Sequence, residues 1–274
     1  MTPAPDRYAV IGQPIAHSRS PWIHAQFALQ TGERLSYSAL EIAPAELPQR
    51  LSEFFAGGGQ GLNVTVPHKQ AVLPLLDELS QRARTAGAVN VISRTQAGRL
   101  RGDNTDGSGF VRDLTRNLGL TVTGLRVLLL GAGGAARGLL EPLLALAPAE
   151  LAIANRSAGR ALQLASEFAS FGMVRGCSFD QLGSTPFELI INATAAGLEQ
   201  QLPPLPLAVL QSAAFCYDLG YAGGDTPFVR WARQHGVTRC ADGTGMLVEQ
   251  AADSFEIWRG LRPETARVLA AMSA

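Results

Sequence analysis

Net charge is absent: 23 Lys and Arg balance 23 Asp and Glu. That balance argues against nucleic acid or an anionic membrane surface as the main partner, because both are held by an excess of basic charge. A small anionic substrate stays open, since a few placed groups suffice. Cysteine is scarce. Cys177, Cys216 and Cys240 are an odd number, with no CxxC and no Cys/His cluster. This excludes a disulfide framework and a zinc site, favours a reducing compartment, and leaves each cysteine as a small core hydrophobe. No apolar run approaches the roughly 20 residues that span a bilayer. The start, MTPAPDRYAVIG, has neither the basic beginning nor the apolar stretch of a signal peptide. The four histidines show no metal-ligand spacing. The expectation is a cytoplasmic protein without a metal.

What is present is core-forming material. Of 274 residues, 46% are apolar and 17% charged, enough for one large domain or two modest ones. Strand-like runs at 8–11 and 35–40 flank a helical segment near 21–31. A second helix is expected over 44–55, then Gly57-Gly58-Gly59 and a strand over 61–66. The run Gln70 to Leu79 has helical spacing. Residues 88–93 and 99–101 surround Thr95-Gln-Ala-Gly98, a hairpin signal. A helix is expected from 107 to 118. From about 121 to 240 short apolar runs (125–130, 151–154, 188–192, 213–219) recur with room for helices between them, which predicts a parallel sheet. The segments 246–258 and 263–271 read as helices. The fold class is therefore α/β.

Gly131, Gly133 and Gly134 lie between a strand-like run and a helical one. That context makes the turn a credible dinucleotide fingerprint: one glycine for the tight turn, one for close approach to a pyrophosphate, then free helix N–H groups for the phosphates. Ala136 stands at the third glycine position and is still small. At the end of the next strand an acid would favour NAD. The chain instead reads Asn155-Arg156-Ser157-Ala-Gly-Arg160. Two guanidiniums and two small polar side chains suit the 2′-phosphate of NADP. Alternatively, this is a solvated loop with Ser157 capping a helix.

Asn63-Val-Thr-Val-Pro-His-Lys69 poses a different question. Asn63 and Thr65 share one strand face. Lys69 would fall on the first turn of the expected 70–79 helix, where the dipole disfavours a cation; a chemical use would explain it, and so would a lysine reaching to solvent. Arg101-Gly-Asp-Asn-Thr-Asp-Gly107 supplies Asp106 as a carboxylate partner able to orient that ammonium, while Asp103, Asn104 and Thr105 have the ordinary role of turn or cap formers. Ser18 and Ser20 flank Arg19 before Pro21. They read as a helix start or as two hydroxyls for a substrate carboxylate. His17 and His68 read as local structural hydrogen-bonders.

Together these segments resemble the shikimate dehydrogenase family. The motifs follow the family's order over nearly the whole chain: GQPIAHSRSP (12–21), NVTVPHK (63–69), AGAVNVI (86–92), GDNTDG (102–107), GAGGAAR (131–137), NRS (155–157), NAT (192–194), YDLGY (217–221), TPF (226–228) and ADGTGMLVEQAA (241–252). The resemblance implies reduction of 3-dehydroshikimate to shikimate with NADPH in aromatic amino-acid biosynthesis. It implies two domains: an α/β substrate-binding domain from 1–106 plus 243–274, and a Rossmann-type, doubly wound parallel-sheet domain over 107–242 for the cofactor. By motif position Lys69 is the catalytic acid/base and Asp106 its partner. Ser18 and Ser20 hold the substrate carboxylate, with Tyr221 near it. Asn63, Thr65, Asn90, Asp106 and Gln250 bind ring hydroxyls. Gly131, Ala132, Gly133, Gly134 and Ala135 form the phosphate turn. Asn155, Arg156, Ser157 and Arg160 take the adenosine phosphate, and Thr194, Leu219, Gly243 and Met246 approach the nicotinamide. The resemblance leaves monomer and homodimer open. The chain departs from the family at Ala195-Ala-Gly-Leu198 and after Tyr221, where it reads Ala-Gly-Gly-Asp. Two rivals remain. One is a catabolic quinate/shikimate dehydrogenase preferring NAD. The other is a non-catalytic NADP-binding sensor, which would have no need of Lys69 or Asp106.

Overall fold

A computed structural model describes residues 4–183, 185–194 and 202–273. The departure at 195–198 lies outside the described residues. The chain divides into two compact units, 1–110 with 247–274, and 111–246. Both cuts fall a few residues beyond the sequence-based boundaries. Each lies inside a helix, which a motif search cannot see.

The first unit is built on a mixed sheet. Its strands are β1 (Asp6–Gly12), β2 (Leu35–Glu41), β3 (Gly59–Val64), β4 (Glu78–Leu79), β5 (Val91–Arg94) and β6 (Leu100–Asp103), in the order β2-β1-β3-β5-β6-β4. β1 runs parallel to β2 and β3. The expected hairpin forms as antiparallel β5 and β6, and β5 also lies antiparallel to β3. Alternation sends Ala9, Ile11, Leu62 and Val64 to one face, where Leu47, Leu51, Phe54 and Phe55 of α2 (Leu47–Ala56) cover them. On the other face Tyr8 meets Trp258 of α8 (Thr244–Arg259). There Ile23 and Phe27 of α1 (Ser20–Thr31) pack with Val248, Phe255 and Val268 of α8 and α9 (Thr265–Ser273).

The expected helix over 70–79 does not form. The chain makes a series of turns through 66–72, a short 3-10 turn at Leu73–Leu75, and then β4. Pro67 and Pro74 each lack an N–H and restrict the residue before them, which breaks a repeating i→i−4 ladder. The apolar spacing survives because Val72, Leu73, Leu75, Leu76 and Leu79 still pack into the unit's core. Lys69 is thus on a turn and not on the first turn of a helix of its own. The real helix here is α3 (Gln81–Ala86), which Ser80 caps by accepting from the Ala83 N–H.

The second unit carries β7 (Arg126–Leu130), β8 (Glu150–Ala154), β9 (Val174–Cys177), β10 (Leu189–Asn192), β11 (Phe215–Asp218) and β12 (Cys240–Ala241). All pairings are parallel, in the order β9-β8-β7-β10-β11-β12. This is the doubly wound Rossmann order, with the reversal between β7 and β10. α5 (Gly134–Leu144), α6 (Ala158–Phe168) and α7 (Pro227–Gln234) link the strands. Strands covered on both faces need near-continuous apolar sequence, which is why the run Val127–Leu130 is wholly buried. Cys177 and Cys216 lie in this core, and all three cysteines are free, as expected.

The expected helix over 107–118 is α4 (Asp106–Arg112) continued by a π turn, Asp113–Asn117. In the first unit Gly109 of α4 lies against α8; a Cβ there would come 2.6 Å from the Gln250 backbone nitrogen. Gly109→Ala gains about 1 kcal/mol of helix propensity. Backbone cannot yield as a side chain would, so overpacking of about 1–3 kcal/mol dominates. The expected outcome is a lower urea midpoint, together with lost activity because Gln250 shifts.

Candidate active site

Lys69, Asp106, Asn90, Gln250 and Asn63 come together within the first unit. The Lys69 Nζ donates to Asp106 Oδ2 at 2.5 Å, and both residues are buried. An ammonium has three N–H bonds. Asp106 takes one, and no other acceptor for Nζ stands among the described residues, so two are left for a ligand. The turn that carries Lys69 is tied down by its own backbone: the Val89 N–H donates to the Lys69 carbonyl at 2.8 Å.

Asp106, not Lys69, is the charged group at a helix start, being the first residue of α4. A carboxylate is favoured there by the free N–H groups of the first turn. Its own N–H donates to Asn104 Oδ1 at 3.0 Å, while Asn104 Nδ2 donates to the Ala88 carbonyl. Asn90 is the hub. Its Nδ2 lies 2.9 Å from Thr105 Oγ1, 3.0 Å from Asp106 Oδ1 and 3.1 Å from Gln250 Oε1. Its Oδ1 accepts from the Thr105 N–H at 2.7 Å. Asn63 Nδ2 donates to the Asn90 carbonyl and to Ser254 Oγ.

Thr65 follows β3, and its Oγ1 has no hydrogen-bond partner among the described residues. The Thr65 N–H donates to Ile11 and the Gln13 N–H to Val66, so the segment leading to Ser18 leaves β1 beside Thr65. Ser18 Oγ accepts from the Ser20 N–H at 3.3 Å, and Ser20 is buried at the start of α1 with Pro21 next. Among the described residues no hydrogen bond joins Ser18 or Ser20 to the Lys69 cluster. His68 is structural, as expected: its Nε2 meets the Ile42 carbonyl at 2.8 Å.

In the second unit the glycine turn has the geometry a pyrophosphate needs. Gly131 has φ +102°, and a Cβ there would meet the Ala193 carbonyl at 2.9 Å. Gly133, at the N-cap of α5, faces open space. Ala132, Gly134 and Ala135 are only half-buried, so backbone N–H groups of the turn are open to a ligand. Asn155 Nδ2 donates to the Ser157 carbonyl, and Arg156, Ser157 and Arg160 are exposed. Ser157 stands at the N-cap of α6 but its side chain caps nothing, which leaves the hydroxyl free. Arg156 borders a cavity of about 610 Å³ with Phe179, Asp180, Leu205 and Pro206. Beyond β10 and β11, Thr194 donates to Asn192 Oδ1, Asn192 Nδ2 donates to Asp218 Oδ1, and Thr226 donates to Asp218 Oδ2. Burial pushes the Asp218 carboxyl up despite these donors. Gly243 packs on Leu219, with a Cβ only 2.2 Å from its carbonyl, and Met246 is buried in the first turn of α8. Tyr221 is half-buried on the loop after β11. No group of three or more His, Cys, Asp or Glu suited to a metal occurs among the described residues. Nor is any described helix long and apolar enough to cross a membrane.

Reading by motif missed Thr105, Ser254 and Tyr37. Thr105 and its neighbours were legible only as turn formers. Ser254 lies one helical turn after Gln250, a spacing that places them on one face. Tyr37 carries no sequence signal at all.

A doubly wound sheet with an open glycine turn, and a buried Lys–Asp pair with spare ammonium donors, define the class: dinucleotide-dependent oxidoreductases of the α/β type. Sequence comparison narrows it. Residues 10–92 match the shikimate dehydrogenase substrate binding domain, 113–199 the shikimate/quinate 5-dehydrogenase family, and 243–272 the shikimate 5′-dehydrogenase C-terminal domain. The shikimate dehydrogenase (NADP(+)) of Aeromonas salmonicida is 53% identical over 264 residues, covering 96% of each chain. Among solved structures, an Ael1 enzyme from Pseudomonas putida aligns with TM-score 0.89 at 45% identity, covering 98% of both chains. The shikimate 5-dehydrogenase of Thermus thermophilus in complex with NADP(H) and shikimate aligns with TM-score 0.86 at 36% identity, covering 97% of this chain and 98% of that one. The chain belongs to the shikimate dehydrogenase family.

Asp103 anchors the loop that delivers Asp106. Burial alone would raise its carboxyl, but the Arg82 fork, the Ser80 hydroxyl and the Asn104 N–H outweigh burial and hold it below its ordinary value. A depressed folded-state value stabilises the fold above the unfolded carboxyl pKa of about 4 and is lost as pH falls through the folded value. Asp103→Asn is expected to lower the thermal midpoint at pH 7. It should also flatten the midpoint-against-pH curve below about pH 5.

Proposed function

We propose that this chain interconverts 3-dehydroshikimate and shikimate with NADPH and NADP, serving aromatic amino-acid biosynthesis. The observation that carries the reading is the buried Lys69–Asp106 pair at 2.5 Å, set among the amides of Asn63, Asn90 and Gln250. The first unit is read as the substrate domain and the second as the cofactor domain.

NADPH, when bound, supplies the hydride. Its pyrophosphate would lie on the turn of Gly131, Ala132, Gly133, Gly134 and Ala135, and its 2′-phosphate against Asn155, Arg156, Ser157 and Arg160. Thr194, Leu219, Gly243 and Met246 would flank the nicotinamide. The open cradle at Gly133 and the cavity beside Arg156 fit such a ligand.

Reduction of a ketone builds negative charge on its oxygen. Lys69, with two N–H bonds to spare, stabilises that charge and gives the proton. Asp106 takes the third N–H bond and so fixes the direction of the other two. Ser18 and Ser20 are assigned to the substrate carboxylate. Asn63, Thr65, Asn90 and Gln250 are assigned to its hydroxyls; the free Thr65 hydroxyl and the free Ser18 O–H support this. The Asn155–Arg160 loop carries no acid and two arginines, which favours NADP over NAD. Free cysteines and the absence of a membrane-crossing helix among the described residues suit a cytoplasmic enzyme, acting as monomer or homodimer.

Initial rates of shikimate oxidation with NADP and NAD in parallel, beside quinate, test the reading. NADP-dependent turnover of shikimate is expected, with kcat lowered about 10²- to 10⁴-fold in Lys69→Ala while cofactor binding persists. Preference for quinate or NAD moves the assignment to the catabolic rival. A folded protein that binds NADP and turns over neither alcohol is not an enzyme of this kind.

A further inference from the structure

Asn63 is locked by Asn90 together with two residues, Ser254 and Tyr37, that no motif includes. Its amide has two N–H donors and a carbonyl oxygen with two lone pairs. Both donors are used inside the protein, on the Asn90 carbonyl at 3.2 Å and Ser254 Oγ at 2.9 Å. Ser254 can accept because its own hydrogen goes to the Gln250 carbonyl at 2.9 Å. One lone pair of Oδ1 is taken by the Tyr37 hydroxyl at 2.7 Å. Tyr37 is on β2 and Asn63 on β3, with β1 between them, so only a long side chain spans the gap.

Resting on the function proposed above, we infer that Tyr37 is a positioning residue. Its hydroxyl holds the Asn63 amide so that Asn63 meets the substrate only as a hydrogen-bond acceptor for a non-reacting ring hydroxyl. The Tyr37 ring is itself held: His24 stacks on it at 4.2 Å with planes 7° apart. His24 is fully buried, and neither ring nitrogen has a hydrogen-bond partner. Burial pushes its pKa down to about 3, against the opposing Asn63 side chain, so the stacking ring is neutral at any working pH. A turned-over amide would set Oδ1 against the Asn90 carbonyl, so the Asn90 and Tyr37 contacts select the same orientation.

The test is a cycle of wild type, Tyr37→Phe, Asn63→Ala and the double variant, assayed with varied shikimate at saturating NADP. A contact to a non-reacting hydroxyl binds ground and transition states alike, so it appears in KM. Tyr37→Phe is expected to raise KM for shikimate about tenfold, to leave kcat and the KM for NADP within about twofold, and to add nothing in the Asn63→Ala background. A KM shift below twofold, or the same shift in both backgrounds, overturns the inference while shikimate turnover by wild type leaves the proposed function standing. No turnover by wild type overturns both. Should Tyr37→Phe not fold, wild type alone decides with shikimates carrying hydrogen or fluorine at each non-reacting hydroxyl in turn. Fluorine accepts but cannot donate, so at one position both analogues should show the same raised KM. Recovery of the parent KM by fluorine at every position overturns the acceptor role.

Discussion

A buried amide must find a partner for each of its polar atoms, and the side chain of Asn90 makes that constraint the organising contact of the first unit. Three oxygens from Thr105, Asp106 and Gln250 converge on its Nδ2, which has only two hydrogens to give. Its Oδ1 accepts from the Thr105 N–H. Leaving such a group unpaired costs about 1–3 kcal/mol, so the end of β6, the start of α4 and the middle of α8 must arrive together or not at all. The Lys69–Asp106 pair is set within that frame: Asp106 takes its place from Asn104 and Asn90, and Lys69 takes its direction from Asp106. A charge pair this deep needs such bonds, because desolvation otherwise outweighs attraction.

The two units solve different problems. The second is a rigid platform, an all-parallel sheet of apolar strands with a glycine turn at a strand end. Glycine at 131 lets the turn pass within contact of Ala193, and Gly133 leaves the space in front of α5 open. The first needs polar side chains held in the interior without loss of packing. It carries them at strand ends and helix starts, with apolar clusters beneath α2 on one face and under α1, α8 and α9 on the other.

Legibility followed the range of the physics. β7 and the glycine turn were legible because a short apolar run, a φ-permissive residue and a helix start are neighbours in the chain. The hairpin of β5 and β6 was legible from Thr95-Gln-Ala-Gly98 for the same reason. The stretch 70–79 was misread. Its apolar spacing is real, but it serves a core reached through turns, and Pro67 and Pro74 deny the helix its ladder. β12 is two residues long, and β9 reads only half-buried at an edge, too little pattern to distinguish either from a loop.

By itself the sequence determined the α/β class, the parallel sheet of the second unit, the absence of an acid after β8, and the residue types available for chemistry. Each of these is a matter of local pattern or residue type. Only tertiary structure decided who meets whom. Lys69 finds Asp106 across 37 positions, and Asn63 finds Ser254 across 191. It also decided that the helix start belongs to the carboxylate and not the ammonium. Such pairings are settled by packing and by the need to satisfy buried polar atoms, and these act between segments whose order along the chain carries no record of their contact.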